Sequence, residues 1–581
     1  MIFSEKFTRE RVSAFAAVGL SVLAYVLAMP GADVASLAWV WAVPMALWAS
    51  ARPRWRSWLL GSALCAYAGG VITLIWLRHI YPPLGWLAVF LLPLAYSAFP
   101  FLWFVALRVI FPASGKEHGF FSRLLNLLGL AGLWVFLEWV LTWFLSGFPW
   151  MPLGATQWER PAMLAYCPWA GTAGASFLII FFNLGVARYV RHLVVEAKIW
   201  HVRPGDSQSM FSSLRSICPE FYCALIPVLL SVFVYWNACL DFAKNNEKYF
   251  AFAAVQPDFD PNEKWDRERV PASVAVLEDL TLAAAKNTPA ADFILWPEAA
   301  LPFPTDLPDF RAWIAGLVAH AGKPLVFGGI CSGEAESTYY NSVHIAYPKT
   351  GVADMFYAKR HLVPFGEYLP FADYLPFRKI VPTAADCLAG TSAEPLPLYL
   401  KSGTFSMGAL VCYEDVFPEL GRDLVRRGAD FLAVVTNDAW YGKEAGAYQH
   451  AAHSVMQAVN LGVPVIRCGN AGWSGLINPL GHMAVMTENN TPEGSVYFRG
   501  QKSFEVHGWR RFDEDGNALG LGGRTFYARH GDWLVTAGGL LFLAAYLRNR
   551  RWRSPLAKRK NNKMNGAAGT VSFRFFLRAV N

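Results

Sequence analysis

Three residues that could carry out nucleophilic chemistry each come directly after a short apolar, strand-like run. Glu298 follows Phe-Ile-Leu-Trp-Pro, Lys359 follows Met-Phe-Tyr-Ala, and Cys412 follows Met-Gly-Ala-Leu-Val. A thiolate can attack a carbonyl, a carboxylate can take the thiol proton, and an ammonium can stabilise the oxyanion that forms. These residue types predict acyl transfer through Cys412, provided that the fold brings the three side chains together.

The position of Cys412 carries the most information. It lies between a predicted strand and a predicted helix over residues 415–428, so its thiol should face the positive end of a helix dipole, which favours the thiolate. Cys331 and Cys387 are rival nucleophiles, but neither lies at such a turn within a recognisable motif. By spacing alone, a buried cysteine with an unrelated surface glutamate and lysine remains the alternative.

Longer motifs surround these residues and occur in one order. They are Trp296-Pro-Glu298, Tyr357-Ala-Lys-Arg-His-Leu-Val-Pro-Phe-Gly-Glu367, Cys412-Tyr-Glu414 and Thr436-Asn-Asp-Ala-Trp440. Together they resemble the nitrilase superfamily with its Glu-Lys-Cys triad. With its apolar N-terminal half, a Phe148-Pro-Trp150 loop and a last apolar segment, the whole chain resembles the apolipoprotein N-acyltransferase family.

The resemblance implies an αββα sandwich and a role for each matching residue. Glu298 would be general base and then general acid, Lys359 the oxyanion stabiliser, and Cys412 the acylated nucleophile. The supporting residues, by their place in the family's motifs, would be Glu367, Tyr413 and Glu414. The predicted substrate-binding residues are Trp150, Trp265, Phe365 and Tyr368, of which the last two belong to a stretch of aromatics and prolines over 363–377. That stretch is either core packing or an arm that dips into the membrane interface.

The resemblance also implies the reaction and its partners. The family transfers an acyl chain from a phospholipid to the α-amino group of a lipoprotein's diacylglyceryl-cysteine. The partners would be the phospholipid donor, the diacylglyceryl-apolipoprotein acceptor and membrane lipid, and the chain is expected to be a monomer. No metal or organic cofactor is expected. Two alternatives stay open, a membrane-tethered amidase acting on a small amide and a catalytically silent scaffold.

Two further polar features have less specific interpretations. His450 and His453 are three residues apart and could bind a metal, but no third ligand follows at a usual spacing, so packed or solvated histidines are the simpler interpretation. Glu138 lies inside an apolar run, where a carboxyl group is costly. It could touch a substrate head group or serve packing.

The composition requires that part of the chain lies in lipid. Of 581 residues, 54% are hydrophobic and only 16% are charged, against about 25% charged in ordinary soluble domains. Eight apolar runs predict about eight transmembrane helices: 12–29, 35–50, 58–77, 86–107, 124–146, 168–187, 220–240 and 533–547. The net charge of +8 does not indicate nucleic-acid binding, because the basic residues lie in short loops and the C-terminal tail.

The loop charges predict the orientation and the domains. Loops after the second, fourth and sixth runs are rich in Lys and Arg, so they and both termini should be cytoplasmic. The predicted organisation is seven helices over 1–240, a periplasmic nitrilase-like domain over 241–515, a return segment and eighth helix over 516–547, and a basic cytoplasmic tail over 548–581. This places the chain in the inner membrane of a Gram-negative cell.

Short apolar runs alternate with amphipathic stretches from residue 249 onward, which predicts an α/β layered domain. The predicted helices are 268–286, 309–321 and 415–428. The predicted strands are Tyr249–Gln256, Phe293–Trp296, Leu325–Ile330, Ser342–Ala346, Met407–Val411, Phe431–Thr436 and Val463–Arg467.

Overall fold

The computed structural model describes residues 2–80, 84–111, 119–196, 218–261, 266, 268–335, 337–370, 386–491, 494–510 and 525–553. Some of the sequence predictions lie outside these residues. They concern Trp265, the aromatic stretch beyond residue 370, the basic loops over 112–118 and 197–217, and the tail from residue 554.

The N-terminal half and the C-terminal end of the described chain are helical. The α-helices there are α1 (Ile2–Ala28), α2 (Val43–Ser50), α3 (Trp55–Thr73), α4 (Leu84–Tyr96), α5 (Ala98–Ile110), α6 (Phe120–Val140), α7 (Cys167–Ala170), α8 (Thr172–Arg191) and α9 (Pro219–Asn245), with α14 (Phe526–His530) and α15 (Trp533–Arg553) after the second domain. Pro93 lies inside α4, where its ring removes one backbone hydrogen bond.

Four helical segments among the described residues are long and apolar enough to cross a membrane: Leu84–Ile110, Phe120–Val140, Thr172–Val194 and Pro219–Asn245. The predicted run 35–50 is not one continuous helix, because a 3₁₀ turn over Ala35–Trp39 precedes α2, which begins beside Pro44. Likewise α3 ends at Thr73, and a 3₁₀ turn over Ile75–His79 overlaps the end of the third predicted run, 58–77. In the part of the chain that the structure describes, four segments are therefore candidate spans by length and composition, and the number eight stays a prediction.

The second half contains two β-sheets. Its strands are β1 (Asn246–Gln256), β2 (Phe293–Leu295), β3 (Leu325–Ser332), β4 (Tyr339–Tyr347), β5 (Gly351–Val352), β6 (Tyr357–Ala358), β7 (Leu396–Leu400), β8 (Gly403–Val411), β9 (Phe431–Thr436), β10 (Val465–Gly469), β11 (Gly475–Ile477), β12 (Met483–Val485) and β13 (Gly500–Trp509). The first sheet has the order β13-β1-β2-β3-β4-β5, with β6 paired to β4, and the second has the order β12-β11-β10-β9-β8-β7. At the centre of each sheet three strands run parallel, β1-β2-β3 and β8-β9-β10.

The two sheets pack face to face through large apolar side chains. The ring of Phe250 lies 5.1 Å from that of Phe405 and 4.7 Å from that of Phe431, and all three are completely or almost completely buried. Helices α10 (Val270–Asn287) and α11 (Pro308–Ala321) contribute the buried cluster that covers the first sheet. Helices α12 (Pro418–Arg426) and α13 (Ala445–Leu461) pack on the second. This is the predicted αββα sandwich.

The last helix docks along α6 through glycines. A Cβ atom on Gly132 would overlap the carbonyl oxygen of Gly538, and one on Gly129 would lie 2.8 Å from the Cβ of Ala545. Helices in lipid usually associate through such close backbone contacts. Apolar side chains gain little free energy there when they exchange lipid for another helix. The glycines therefore join the C-terminal end of the chain to the helical half.

We expect Gly132→Val to separate α15 from α6, because its side chain would overlap the Gly538 backbone. Overpacking of this kind costs about 1–3 kcal/mol, so the midpoint of thermal unfolding in detergent should fall by several degrees. The matched control is Gly539→Val on the neighbouring position, where a Cβ meets only the Phe136 ring at 3.6 Å. Equal losses in the two variants would contradict the docking role of the glycines.

Candidate active site

Two carboxylates, an amide and an ammonium meet at the end of the first sheet. The Asn341 side-chain amide donates to Oε1 of Glu298 at 2.7 Å and to Oε1 of Glu367 at 2.8 Å. Lys359 Nζ donates to Glu367 Oε1 at 2.9 Å and lies 3.7 Å from Glu298 Oε1. The structure thus brings together Glu298 and Lys359, which are 61 positions apart, with Glu367 as the group that orients the ammonium.

Lys359 is charged although it is buried. Burial by itself lowers the pKa of its ammonium, but the carboxylates of Glu367 and Glu298 and the nearby Cys412 thiol outweigh this and raise the pKa well above the ordinary value. Its side chain is only 1% exposed, so the positive charge acts in a medium of low polarity, where it stabilises a nearby anion most strongly.

Cys412 lies at the carboxyl end of β8, close enough to Glu298 and Lys359 for both charges to act on its thiol. Its backbone has φ +50°, and Ala299 beside Glu298 has φ +39°. Positive φ is strained for residues other than glycine and recurs at functional sites. Both reactive side chains are therefore held at turns that the surrounding structure imposes.

The prediction that a helix dipole favours the Cys412 thiolate is wrong. The residue begins a five-residue 3₁₀ turn, Cys412–Val416, and α12 starts only at Pro418. Burial, followed by the nearby Glu298 carboxylate, raises the pKa of the thiol to about 12, against a lowering influence of Lys359. The thiol is neutral at rest and needs a base to take its proton.

Glu414 joins the nucleophile turn to the segment that carries Lys359. Its carboxylate accepts from the Val411 backbone N–H at 2.8 Å and from the Arg360 backbone N–H at 2.6 Å. The Tyr357 hydroxyl donates to both of its oxygens, at 2.9 and 3.0 Å. Glu414 is fully buried. Its hydrogen bonds hold the end of β8 in the second sheet beside the segment that follows β6 in the first.

Tyr413 turns away from the carboxylates and packs on the helical half. Its hydroxyl donates to the Gly147 carbonyl at 2.8 Å, and its ring stacks on Trp150 at 6.5 Å and 22°. Trp150 is itself buried and stacks on Phe148 at 5.7 Å. It also lines a cavity of about 100 Å³ that extends between the helices to Glu138. Trp150, one of the predicted substrate-binding residues, therefore lies next to the nucleophile turn on the membrane side.

Gln449 on α13 fixes this contact between the two halves. Its side-chain oxygen accepts from the indoles of Trp76 at 2.8 Å and Trp150 at 2.9 Å, and its amide donates to the Thr73 carbonyl at 3.2 Å. All of these groups are buried. Because each polar atom has a partner, the interface remains dry and specific.

Phe365 and Tyr368, two more of the predicted substrate-binding residues, lie at or near the surface. Phe365 is 45% exposed, and Tyr368 donates its hydroxyl to Ser146 Oγ at 3.0 Å. These two therefore do not form a buried core, although the rest of the aromatic stretch lies outside the described residues. Glu138 accepts from the Trp134 indole at 2.6 Å and the Leu153 N–H at 2.7 Å.

Sequence reasoning missed Asn341 and a group of three buried charged residues beside the Cys412 turn. Asn341 lies in β4, Tyr339–Tyr347, and an asparagine within a strand was the available signal, because asparagine is depleted in strands. Arg467 donates to Asp415 Oδ2 at 2.9 Å and to Asp438 Oδ2 at 2.8 Å. Both carboxylates and the guanidinium are fully buried. A charged residue inside the apolar run Val463–Arg467 was the signal for this second site.

His450 completes that network through contacts with Asp438 and with the Cys412 backbone. Its Nε2 donates to the Cys412 backbone carbonyl at 3.1 Å, and its Nδ1 lies 2.8 Å from Asp438 Oδ1. His453 Nε2 donates to the Trp150 carbonyl at 2.9 Å. Both histidines are thus engaged by the protein, and the described residues contain no cluster of metal ligands.

The rival cysteines differ in their surroundings. Cys387 lies close enough to Glu367 and Lys359 to feel their charges, and burial raises the pKa of its thiol to about 12. Cys331 is influenced by Asp306 and Arg311 instead. Only Cys412 combines the strained strand-end turn with the two charged groups. A thiol, a carboxylate and a buried ammonium so arranged can open an ester or amide by forming a thioester.

Comparisons with known proteins match one family model to the helical half of the chain and another to the half that contains the sheets. Residues 252–497 match the family model of Carbon-nitrogen hydrolase, and residues 21–185 match that of the Apolipoprotein N-acyltransferase N-terminal domain. An amidase from Nesterenkonia sp. covers 45% of this chain at 18% identity with a TM-score of 0.32, which is too low to assign a fold or a reaction.

Two curated relatives extend over most of both chains. The apolipoprotein N-acyltransferase of Geobacter metallireducens is 30% identical over 550 residues, which are 91% of this chain and 95% of the relative. That of Chlorobaculum tepidum is 28% identical over 471 residues, which are 76% and 82% of the two chains. With both family domains present in order and similarity along nearly the whole length, the chain belongs to the apolipoprotein N-acyltransferase family.

Proposed function

We propose that this protein transfers an acyl chain from a membrane phospholipid to the N-terminal amine of the S-diacylglyceryl cysteine of apolipoproteins. The observation that carries the proposal is the buried group of Glu298, Lys359, Glu367 and Asn341 at the Cys412 turn. Family membership supports lipoprotein N-acylation as the overall activity. The residue roles below are inferred from chemistry and placement.

The first half-reaction forms a thioester. Glu298 takes the proton of the Cys412 thiol, and the sulfur attacks an ester carbonyl of the phospholipid. Lys359 stabilises the tetrahedral oxyanion. As the C–O bond breaks, Glu298 returns the proton to the leaving alkoxide, and lysophospholipid departs. Asn341 and Glu367 position the carboxylate and the ammonium by the hydrogen bonds described above.

In the second half-reaction the sulfur of Cys412 is the leaving group. The amine of the lipidated cysteine attacks the thioester carbonyl, Lys359 again stabilises the oxyanion, and Glu298 passes the amine proton to the leaving sulfur. The product is an amide and the Cys412 thiol is restored. These steps call on no metal or organic cofactor, and their partners are the phospholipid and the diacylglyceryl-apolipoprotein, with a monomer sufficient for the chemistry.

The helical half suits substrates that are anchored in one leaflet. We place the eight predicted spans, the inner membrane and a periplasmic catalytic domain over 241–515 within this proposal, on the basis of the loop charges. Trp150 and the cavity behind it support entry of an acyl chain from the membrane side of the turn. Phe365 and Tyr368 would border the site at the interface, and Trp265 remains a prediction of the sequence.

The triad roles can be separated by mass spectrometry of the purified protein incubated with phospholipid alone. We expect Cys412→Ala to form no acyl-enzyme and Lys359→Met to slow thioester formation by about 100–1,000-fold, the usual effect of losing an oxyanion donor. Cys387→Ala is the matched control, since this thiol feels the same charges but should be dispensable. A thioester that persists on Cys412→Ala and vanishes on Cys387→Ala would exchange the two assignments.

A pH profile tests the role of Glu298. Burial and the Glu298 carboxylate raise the pKa of the Cys412 thiol to about 12. The effect of burial remains in Glu298→Gln, so only a small fraction of the thiol is ionised near pH 8 without a base. We expect acylation of Glu298→Gln to be slow and to rise about tenfold per pH unit between pH 7 and 9. Wild-type acylation should depend far less on pH in this range. Parallel profiles would mean that Glu298 is not the base.

The second substrate distinguishes the transferase from the amidase alternative. Once the thioester has formed, a peptide bearing diacylglyceryl-cysteine should discharge it to an amide much faster than water does. Discharge to water at the same rate as to the peptide would favour a hydrolase.

The proposed orientation can be tested with reporter fusions in a Gram-negative host. A periplasm-active reporter fused near residue 245 should be active, and the same reporter fused near residue 205 should be silent, because the basic loop around the second position should stay in the cytoplasm. The opposite pattern would overturn both the orientation and the compartment.

A further inference from the structure

A large groove runs along the outside of the helical half, between α6 and α15, and ends under the catalytic domain. Its volume is about 800 Å³. We call it the α6–α15 groove, and define it by the residues along its wall and at its rim: Leu133, Phe136, Trp139, Arg422, Trp533 and Leu540. It is separate from the Cys412 site, whose surroundings share none of these side chains.

The wall of the groove is apolar. It is formed by the facing side chains of the two helices, Leu133 and Phe136 on α6 with Leu540 and Leu543 on α15. Leu540 is 62% exposed and Leu543 is 49% exposed, which is unfavourable in water but suits contact with acyl chains. Gly539 leaves the middle of the groove open, because a Cβ there would meet only the Phe136 ring.

The rim of the groove is polar and lies at the level of the membrane interface. Trp143, Trp169 and Trp533 are 56%, 60% and 43% exposed near this end of the helices, and exposed tryptophans mark the depth of lipid head groups. Arg422 of α12 and His530 line the groove here. Asp532 lines this end as well, so a carboxylate lies beside the guanidinium. The tryptophans indicate that this end belongs at head-group depth.

The Arg422 guanidinium is held in place but has donors to spare. It lies 5.9 Å over the Tyr527 ring, and among the described residues none accepts a hydrogen bond from it. The carboxyl groups of Asp532 and Glu419 both lie near the guanidinium, and Asp532 accepts from the Tyr527 hydroxyl at 3.2 Å. Gly531, at φ +62°, makes room for the guanidinium, since a Cβ there would overlap Nη1 of Arg422.

We propose that the α6–α15 groove binds one glycerophospholipid, whose phosphate is held by Arg422 and His530 and whose chains lie along α6 and α15. A guanidinium with free donors suits a phosphate, which accepts two parallel hydrogen bonds from it. The bound lipid fastens α12, which follows the nucleophile turn, to the last helix. This site goes beyond the proposed transfer reaction and does not depend on it.

The test uses the purified full-length protein in detergent and a diether phosphatidylglycerol, whose ether-linked chains cannot be transferred to Cys412. Native mass spectrometry as a function of lipid concentration measures the occupancy of each bound molecule. We expect Arg422→Gln to weaken binding of one lipid at least about tenfold, because a charge-assisted phosphate contact is lost. Arg426→Gln on the same helix is the matched control, since this side chain is exposed and lies outside the groove.

Two further comparisons keep the result decisive. Gly539→Phe fills the groove without touching the rim and should lose the same lipid, even if Arg422→Gln proves poorly folded. Cys412→Ala should retain it, and a diacylglycerol with the same chains but no phosphate should fail to compete. Unchanged binding in Arg422→Gln and Gly539→Phe, or full competition by diacylglycerol, would overturn the proposal.

Discussion

The buried carboxylate of Glu414 is the contact on which the active site depends. It accepts hydrogen bonds from the last residue of β8 and from the backbone just after Lys359, so it ties the nucleophile strand of one sheet to the lysine strand of the other. Burial raises the pKa of this carboxyl, whereas its backbone donors lower it. An ionised acceptor that binds several N–H and O–H groups is stronger than a neutral one. Removing it would leave these donors buried without a partner.

Below this contact, a second set of buried charges fixes the shape of the nucleophile turn. Arg467 lies between Asp415 and Asp438, and its positive charge, with His450, outweighs burial and lowers the pKa of Asp438 to about 2. His450 then reaches the Cys412 carbonyl. Losing one partner of such a network costs about 3–5 kcal/mol, because the other charge is left unpaired. The strained φ of Cys412 persists because this network surrounds it.

The same turn is also where the two halves of the molecule meet. Trp76, Trp150, Tyr413 and Tyr441 form one buried aromatic cluster, and Gln449 supplies the acceptor for both indoles. The aromatic contact area stabilises the interface, and the hydrogen bonds of the single amide fix how the two halves are placed against each other. A catalytic domain held in this way keeps its nucleophile at a fixed depth relative to the helices, which a substrate anchored in a leaflet requires.

The sequence alone predicted the α/β layering, most strand positions and the residues that we propose to react. Apolar runs such as Phe431–Thr436 are strands as predicted, because period and composition are local properties. Glu298, Lys359, Glu367 and Cys412 were recognisable from local motifs. Among the described residues, four of the eight predicted spans meet the length and hydropathy of a membrane helix. The runs 35–50 and 58–77 contain turns, which a short apolar run does not reveal.

Only the tertiary structure decided what surrounds each reactive group. The neutral Cys412 thiol follows from burial and from Glu298, which is 114 positions away, whereas the local pattern suggested a thiolate beside a helix. Asn341, Arg467 and Gln449 matter through partners that are distant along the chain. Burial, pairing and desolvation depend on which elements pack together. They are therefore properties of the fold and cannot be read from the spacing of residues.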